Sequence, residues 1–311
     1  LNAIINGMRF VLIVVLLVFL SSCVVLNEPS SDENFRIVVL AYRFGYNLSE
    51  EELLQIAELT SYDDEVLAYY EYFRTGNLPK FIQTKAAEIY DQRILDILKE
   101  NLPIDGTASA TIIDAFDEPP AKNEWDPQVD QIDQDLVQRV HALLLNDWKI
   151  KGFFYSWCEK YSIGVSEEDL NLYAQFLVNA CEASSKLTLK KTKTSEGYST
   201  FFTDEVDLSL VPTELVLAIC YVESKFFPGA FRCEIKDGTV RAISVGLGQI
   251  LVDADSLTTQ QDIGDGKKDL YTFELLSTHY FDELFKATDL TQVKVGVLFC
   301  RTLLSLLMQR F

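Results

Sequence analysis

The sequence predicts a predominantly α-helical protein, and three observations carry that expectation. Apolar residues recur at helical spacing in one block after another. Several of those blocks open on a capping residue and close near Gly or Pro. No long stretch alternates apolar and polar residues as a half-buried strand would. The material for a packed core is there, with 48% hydrophobic residues including 20 Phe and 14 Tyr. A length of 311 residues leaves room for two domains of about 100–200 residues each. Lys and Arg total 27 against 47 Asp and Glu, a formal charge of −20. A chain this acidic repels polyphosphate, which argues against nucleic acid as a partner.

The chain opens on a targeting pattern. Met8-Arg9 forms a short basic segment, and Phe10 to Leu20 is an unbroken apolar run. That run falls short of the roughly 20 residues that cross a bilayer, and reads as the apolar part of a signal peptide. It ends in Leu20-Ser21-Ser22-Cys23, which resembles the bacterial lipoprotein box. The resemblance implies that 1–23 is a signal peptide with translation starting at Met8, that Cys23 is lipidated, and that the protein is anchored in the bacterial cell envelope, facing the periplasm or exterior. An ordinary signal peptide cut near Ser22, or a short uncleaved anchor, is the alternative. Residues 24–34, with Pro29, Ser30 and Ser31, read as a polar tether.

A helical region is expected over 35–100. Ser49-Glu50-Glu51-Glu52 has capping-box spacing ahead of Leu53 and Ile56. Tyr69, Tyr70, Tyr72 and Phe73 recur at helical spacing, as core aromatics do, and a further amphipathic pattern runs from Ile82 to Leu98. Residues 101–134 hold Pro103, Gly106, Pro119, Pro120 and Pro127 among acidic residues and read as a linker. Helical periodicity resumes near Leu136, and Ser166 is expected to open another helix. The basic, polar stretch from Ser184 to Asp207 is expected to be a solvated loop, with contact to anionic cell-wall peptides or lipid head groups as the alternative.

Beyond Cys23 there remain Cys158, Cys181, Cys220, Cys233 and Cys300, which are expected to be buried thiols. With only His141 and His279 and no Cys-x-x-Cys pair, no zinc site is expected. The stretch from Asp262 to Asp269 lacks the alternating acidic spacing of a calcium loop, so no metal or cofactor is implied.

The chemistry concentrates after Pro212, a residue suited to a first helical turn. From there to Phe227 nearly every residue is apolar, and Glu223 stands near the end, before Pro228-Gly229. Its helical neighbours Val216, Ile219 and Cys220 are apolar. Desolvation and the negative end of the helix dipole are both expected to favour its protonated form, the form a general acid needs. A helix-end Glu pointing into water is the alternative.

The phrase from Leu215 to Phe226, closing on Glu223-Ser224-Lys225-Phe226, resembles the catalytic helix of the soluble lytic transglycosylase and goose-type lysozyme family. Gly246-Leu247-Gly248-Gln249-Ile250 resembles the family's Gly-Leu-Met-Gln-Ile motif, and Gln292 to Gly296, with Phe299, weakly resembles its Asn-Ile-x-x-Gly helix. The resemblance covers the motifs within 212–311. It implies a lysozyme-like (α+β) domain over 135–311, with peptidoglycan glycan strands as substrate. It also implies Glu223 as sole acid and base, and an anhydro-muramoyl product formed by internal attack of the C6 hydroxyl. Ser224, Gly246, Leu247 and Gln249 are the implied substrate-binding residues, the glycines through close backbone approach to the glycan.

Two departures accompany the match. Gly248 stands where the family has Met, a side chain that helps to wall the groove. The family's Ala-Tyr-Asn-x-Gly motif, whose Tyr sits close to the catalytic Glu, is expected beyond the helix ending at Phe311. Its absence there implies a truncated chain or a substitute Tyr from elsewhere. A glycan-binding lipoprotein without activity, or a lysozyme-type hydrolase drawing a second carboxylate from Asp253, Asp255, Asp262 or Asp265, are the competing expectations.

Overall fold

The computed structural model describes residues 31–78, 132–161, 163–192, 201–236, 239–257 and 271–311. Cys23 and the signal segment, the pattern at 82–98, most of the acidic linker, and Asp262 and Asp265 lie outside the described residues, as does the side chain of Asp255. Within them the protein is predominantly helical with small sheets. In chain order the helices are α1 (Ser31–Phe44), α2 (Glu50–Ala57), α3 (Tyr62–Thr75), α4 (Gln134–Ile150), α5 (Phe153–Lys160), α6 (Asp169–Ser184), α7 (Thr213–Ser224), α8 (Ala254–Leu257), α9 (Thr272–Tyr280) and α10 (Val293–Arg310). The strands are β1 (Thr188–Lys190), β2 (Glu205–Asp207), β3 (Phe231–Lys236), β4 (Thr239–Val245) and β5 (Ile250–Asp253). No helix among the described residues is long and apolar enough to cross a membrane.

Local chemistry accounts for several boundaries. Ser49 and Glu52 form the expected capping box at α2, each side chain accepting from the other's backbone N–H. Asp133 caps α4 by accepting from Asp135 and Leu136, so the acidic linker ends one residue earlier than the composition suggested. Ser166 does not start α6. Its N–H and hydroxyl both donate to Asp169, and the helix begins there.

Two expectations are corrected, those for 31–34 and for the basic stretch. Residues 31–34 are the first turn of α1 rather than tether. Ile37 to Ala41 are all buried, so α1 runs through the interior. Its core side chains and those of α3 belong to the same hydrophobic cluster as α7 and α10, so the described residues before 79 share one core with those after 132. Strands are present as well. β3, β4 and β5 form an antiparallel sheet, with Phe231 opposite Val245 and Val245 opposite Ile250. Phe231 and Cys233 point inward, but Ile235 beyond a bulge is exposed, so the alternation is too short to read. In the basic stretch, β1 and β2 pair as an antiparallel ribbon, where a loop was expected. Cys158, Cys181, Cys220 and Cys300 are buried free thiols, and Cys233 is buried too.

One buried cation ties the segments around α7 together. Arg301, on α10, is fully buried. It donates to the carbonyls of Leu208 (3.3 Å), Cys181 (2.8 Å) and Val211 and to the Thr213 hydroxyl (3.1 Å). These acceptors lie at the end of α6 and along the approach to α7, so a single guanidinium sets where α7 begins. Desolvation lowers its pKa, a cost that the four acceptors offset. Arg301→Met keeps the apolar volume and leaves buried acceptors without a donor. It should cost at least about 3 kcal/mol in a urea unfolding titration. A loss under about 1 kcal/mol would show that water satisfies those carbonyls instead.

Candidate functional site

Helix α7 is buried from Leu215 to Tyr221, and its two ends, at Thr213 and Glu214 and at Val222 and Glu223, reach a half-buried environment. It stops because Lys225 and Phe226 both adopt left-handed backbone, with φ of 51° and 65°. Neither is Gly, so the conformation is strained and must be held from outside. Lys225 N–H donates to the Tyr221 carbonyl and Phe226 N–H to that of Cys220, closing the helix. Tyr173 donates to the Phe226 carbonyl at 2.6 Å, and the Lys225 ammonium pairs with Glu65 at 3.5 Å over the Tyr221 ring. These contacts fix the last turn, which carries Glu223.

The Glu223 side chain is 5% exposed. Arg43 donates to its Oε2 at 2.8 Å and the Tyr62 hydroxyl to its Oε1 at 2.5 Å. Arg43 comes from the end of α1 and Tyr62 from the start of α3, and the Arg43 guanidinium lies 5.6 Å from the Tyr62 ring centroid. The two helices are clamped to each other by Arg36, which pairs with the buried Asp63 and, at 2.8 Å, with Asp64. Glu223's charge, above all, raises the Arg43 pKa against the opposing effect of burial. Burial first and Glu223 second push the Tyr62 phenol well above its ordinary value, so it remains a donor at neutral pH. Both carboxylate oxygens are therefore engaged as acceptors.

The glycine run closes the β4–β5 hairpin beside this cluster. Gly246 has φ of +80°, and a Cβ there would collide with the Leu290 carbonyl oxygen. Gly296 on α10 approaches the same oxygen, its Cβ position being 3.1 Å away. Two motif glycines thus converge on one backbone carbonyl. At Gly248 a Cβ would lie 2.5 Å from the Tyr42 hydroxyl and 2.9 Å from the Cys300 Cβ, while Tyr42 donates to the Gly248 carbonyl at 2.6 Å. The space a Met side chain would enter is held by Tyr42, one residue before Arg43.

The expected substrate-binding residues fare differently. Ser224 is buried and donates back to the Cys220 carbonyl at 2.7 Å, the helix-end role rather than one toward substrate. Leu247 is fully buried, and Gly246 and Gly248 are buried against protein, so their close approach is to Leu290 and Tyr42. Gln249 is half-buried, and its Nε2 donates to the carbonyls of Ala230 and Gly246, both at 3.0 Å. Its side-chain oxygen is the remaining polar group of the turn. Asp253 is buried at the other end of β5, where its N–H donates to the buried Glu274. Phe299 is core, stacked between Phe273 and Phe281.

Sequence reading missed Tyr42, Arg43 and Tyr62, although a signal existed. Ala41-Tyr42-Arg43-Phe44-Gly45 matches the Ala-Tyr-Asn-x-Gly pattern with Arg in place of Asn, at the opposite end of the chain from where it was expected. Comparison with protein-family models, curated proteins and solved structures finds no match to this chain.

Tyr42 as the occupant of the Met space is open to a double-mutant test. Gly248→Met alone overpacks the turn and should cost about 1–3 kcal/mol of stability. Combined with Tyr42→Ala, which empties that space, the loss should be smaller than the sum by about 1 kcal/mol or more in denaturant titrations. Strict additivity would mean that the two side chains do not compete for one volume.

Proposed function

We infer that the protein is a peptidoglycan lytic transglycosylase with a lysozyme-like catalytic unit, anchored in the bacterial envelope through Cys23, and that Glu223 is its acid and base. The observation that carries this reading is the placement of Glu223. A single carboxylate near the C-terminal end of a buried helix is held by Arg43 and Tyr62, and Tyr42, the residue before Arg43, donates to the Gly248 carbonyl of the Gly-Leu-Gly-Gln turn. The family's Ala-Tyr-Asn-x-Gly motif is thus proposed to be present in rearranged chain order, contributed by α1 ahead of the others.

One carboxylate suffices when the nucleophile belongs to the substrate. Glu223, carrying a proton, donates it to the glycosidic oxygen as the bond from that oxygen to C1 of the muramic acid ring breaks. The C6 hydroxyl of the same ring then attacks C1, and its proton returns to Glu223. No water is consumed, and the enzyme ends as it began. Tethering of the C6 hydroxyl to the reacting ring supplies the proximity that a second protein carboxylate would otherwise have to arrange. Tyr62, held in its protonated form, orients Oε1 throughout the exchange.

A second reading draws on the 5% exposure of Glu223 and the engagement of both its oxygens. On it the groove binds glycan without cutting it. Digestion of purified peptidoglycan followed by mass spectrometry separates the readings. Release of 1,6-anhydro-muropeptides by the wild type, falling at least about 1000-fold in Glu223→Gln, is the expected outcome, since the substitution removes the only acid. Hydrated reducing ends would establish a lysozyme-type hydrolase. Sedimentation with peptidoglycan and no release from either protein would establish the binding reading.

A further inference from the structure

The Arg43–Glu223 ion pair is the one feature of the site that the proposed reaction does not use. Oε2 accepts from Arg43 at 2.8 Å and Oε1 from Tyr62, so neither oxygen is free to meet a glycosidic oxygen while both donors stay in place. Arg43 must therefore leave, or turn, before Glu223 can act as an acid. Only Nη1 is engaged with Glu223. Nε and Nη2 make no hydrogen bond among the described residues, and the side chain is 26% exposed. A planar fork with Nη1 on protein and two nitrogens without a partner among the described residues is suited to taking a second carboxylate in bidentate fashion.

The surrounding charges sharpen this. Glu223 faces Arg43 from α7. Glu234 of β3 contributes to the field at the guanidinium but is held by Arg232, at 2.5 Å. Lys225 is engaged with Glu65 of α3. Arg43 is the cation at this site whose bonds to protein are fewest, in a chain whose formal charge is −20.

We propose that Arg43 is a substrate-gated latch: it recognises a carboxylate on the side chain of the substrate's muramic acid, and by turning to it releases Glu223. The proposal rests on the glycosidic reading above and adds the substrate class, strands that carry acidic substituents beside the cleaved bond. Two sources offer that chemistry, the lactyl carboxylate of a stripped strand and the carboxylates of an attached peptide.

The test uses the whole soluble protein and three ligands: an uncharged N-acetylglucosamine oligomer, amidase-stripped peptidoglycan strands, and strands with their peptides. Binding is measured by calorimetry for the wild type, Arg43→Gln and Arg43→Lys, each first checked for native circular dichroism and melting. The wild type should bind at least one acidic ligand about tenfold or more tightly than the neutral oligomer, the gain expected of a charge-assisted contact. Which acidic ligand shows the gain identifies the source. Arg43→Gln should bring the ratio to about one, and Arg43→Lys should restore part of it. On the strand that is cleaved, Arg43→Gln should raise KM by about tenfold with a smaller change in kcat, because the latch is then absent. A purely structural role would lower affinity for all three ligands alike, or lower kcat at unchanged KM, and either result overturns the latch. Equal wild-type affinity for neutral and acidic ligands also overturns it. The binding arm stands apart from catalysis: if Glu223→Gln still cleaves, the assignment of Glu223 fails while the ligand preference of Arg43 is still decided.

Discussion

Every side of α7 is covered from Leu215 to Tyr221, and that burial is the constraint from which the site follows. An apolar helix with no wet face can carry an acid only at its end, and only if other elements bring donors to it. Here the donors come from α1 and α3, while α6 and α10 also pack against the helix. The helix cannot slide, because Arg301 holds the carbonyls before its first turn and two strained residues end its last. Backbone strain after Glu223 is maintained by aromatic packing of Phe226 and Phe227, both fully buried.

Close approach is the second organising fact. The Leu290 carbonyl lies against Gly246 and Gly296 together, so the β4–β5 turn and the first turn of α10 are spaced by a single oxygen atom. Gly248 extends the arrangement to α1 by admitting Tyr42. Glycine here serves the protein's own packing.

Much of this was legible in the sequence, for identifiable reasons. The helices followed from periodicity and caps, and Ser49 with Glu52 behaves as its spacing requires. Glu223 stood out because a lone acid in an apolar run is costly to bury unless another group pairs with it. The sheet was not legible, because Ile235 breaks the inward alternation at a bulge. Ser224 and Leu247 face the protein interior, and a motif read as text does not say which way a side chain faces. Arg43 and Tyr62 were missed because their partner is 180 and 161 residues away, a separation that no local pattern reports.

The same separation governs when the site can exist. Ribosomal synthesis delivers α1 and α3 first, and α7 with Glu223 only after well over a hundred further residues. At about 5–20 residues per second, α1 waits for its interior neighbours for several seconds or more. Contacts this distant in sequence form late and slow the overall fold. A partly made chain therefore holds no complete Glu223–Arg43–Tyr62 cluster, and Ile37 to Ala41 lack their final cover until α10 has emerged. The arrangement exposes an apolar helix to aggregation early, and in return confines the assembled cluster to the finished molecule.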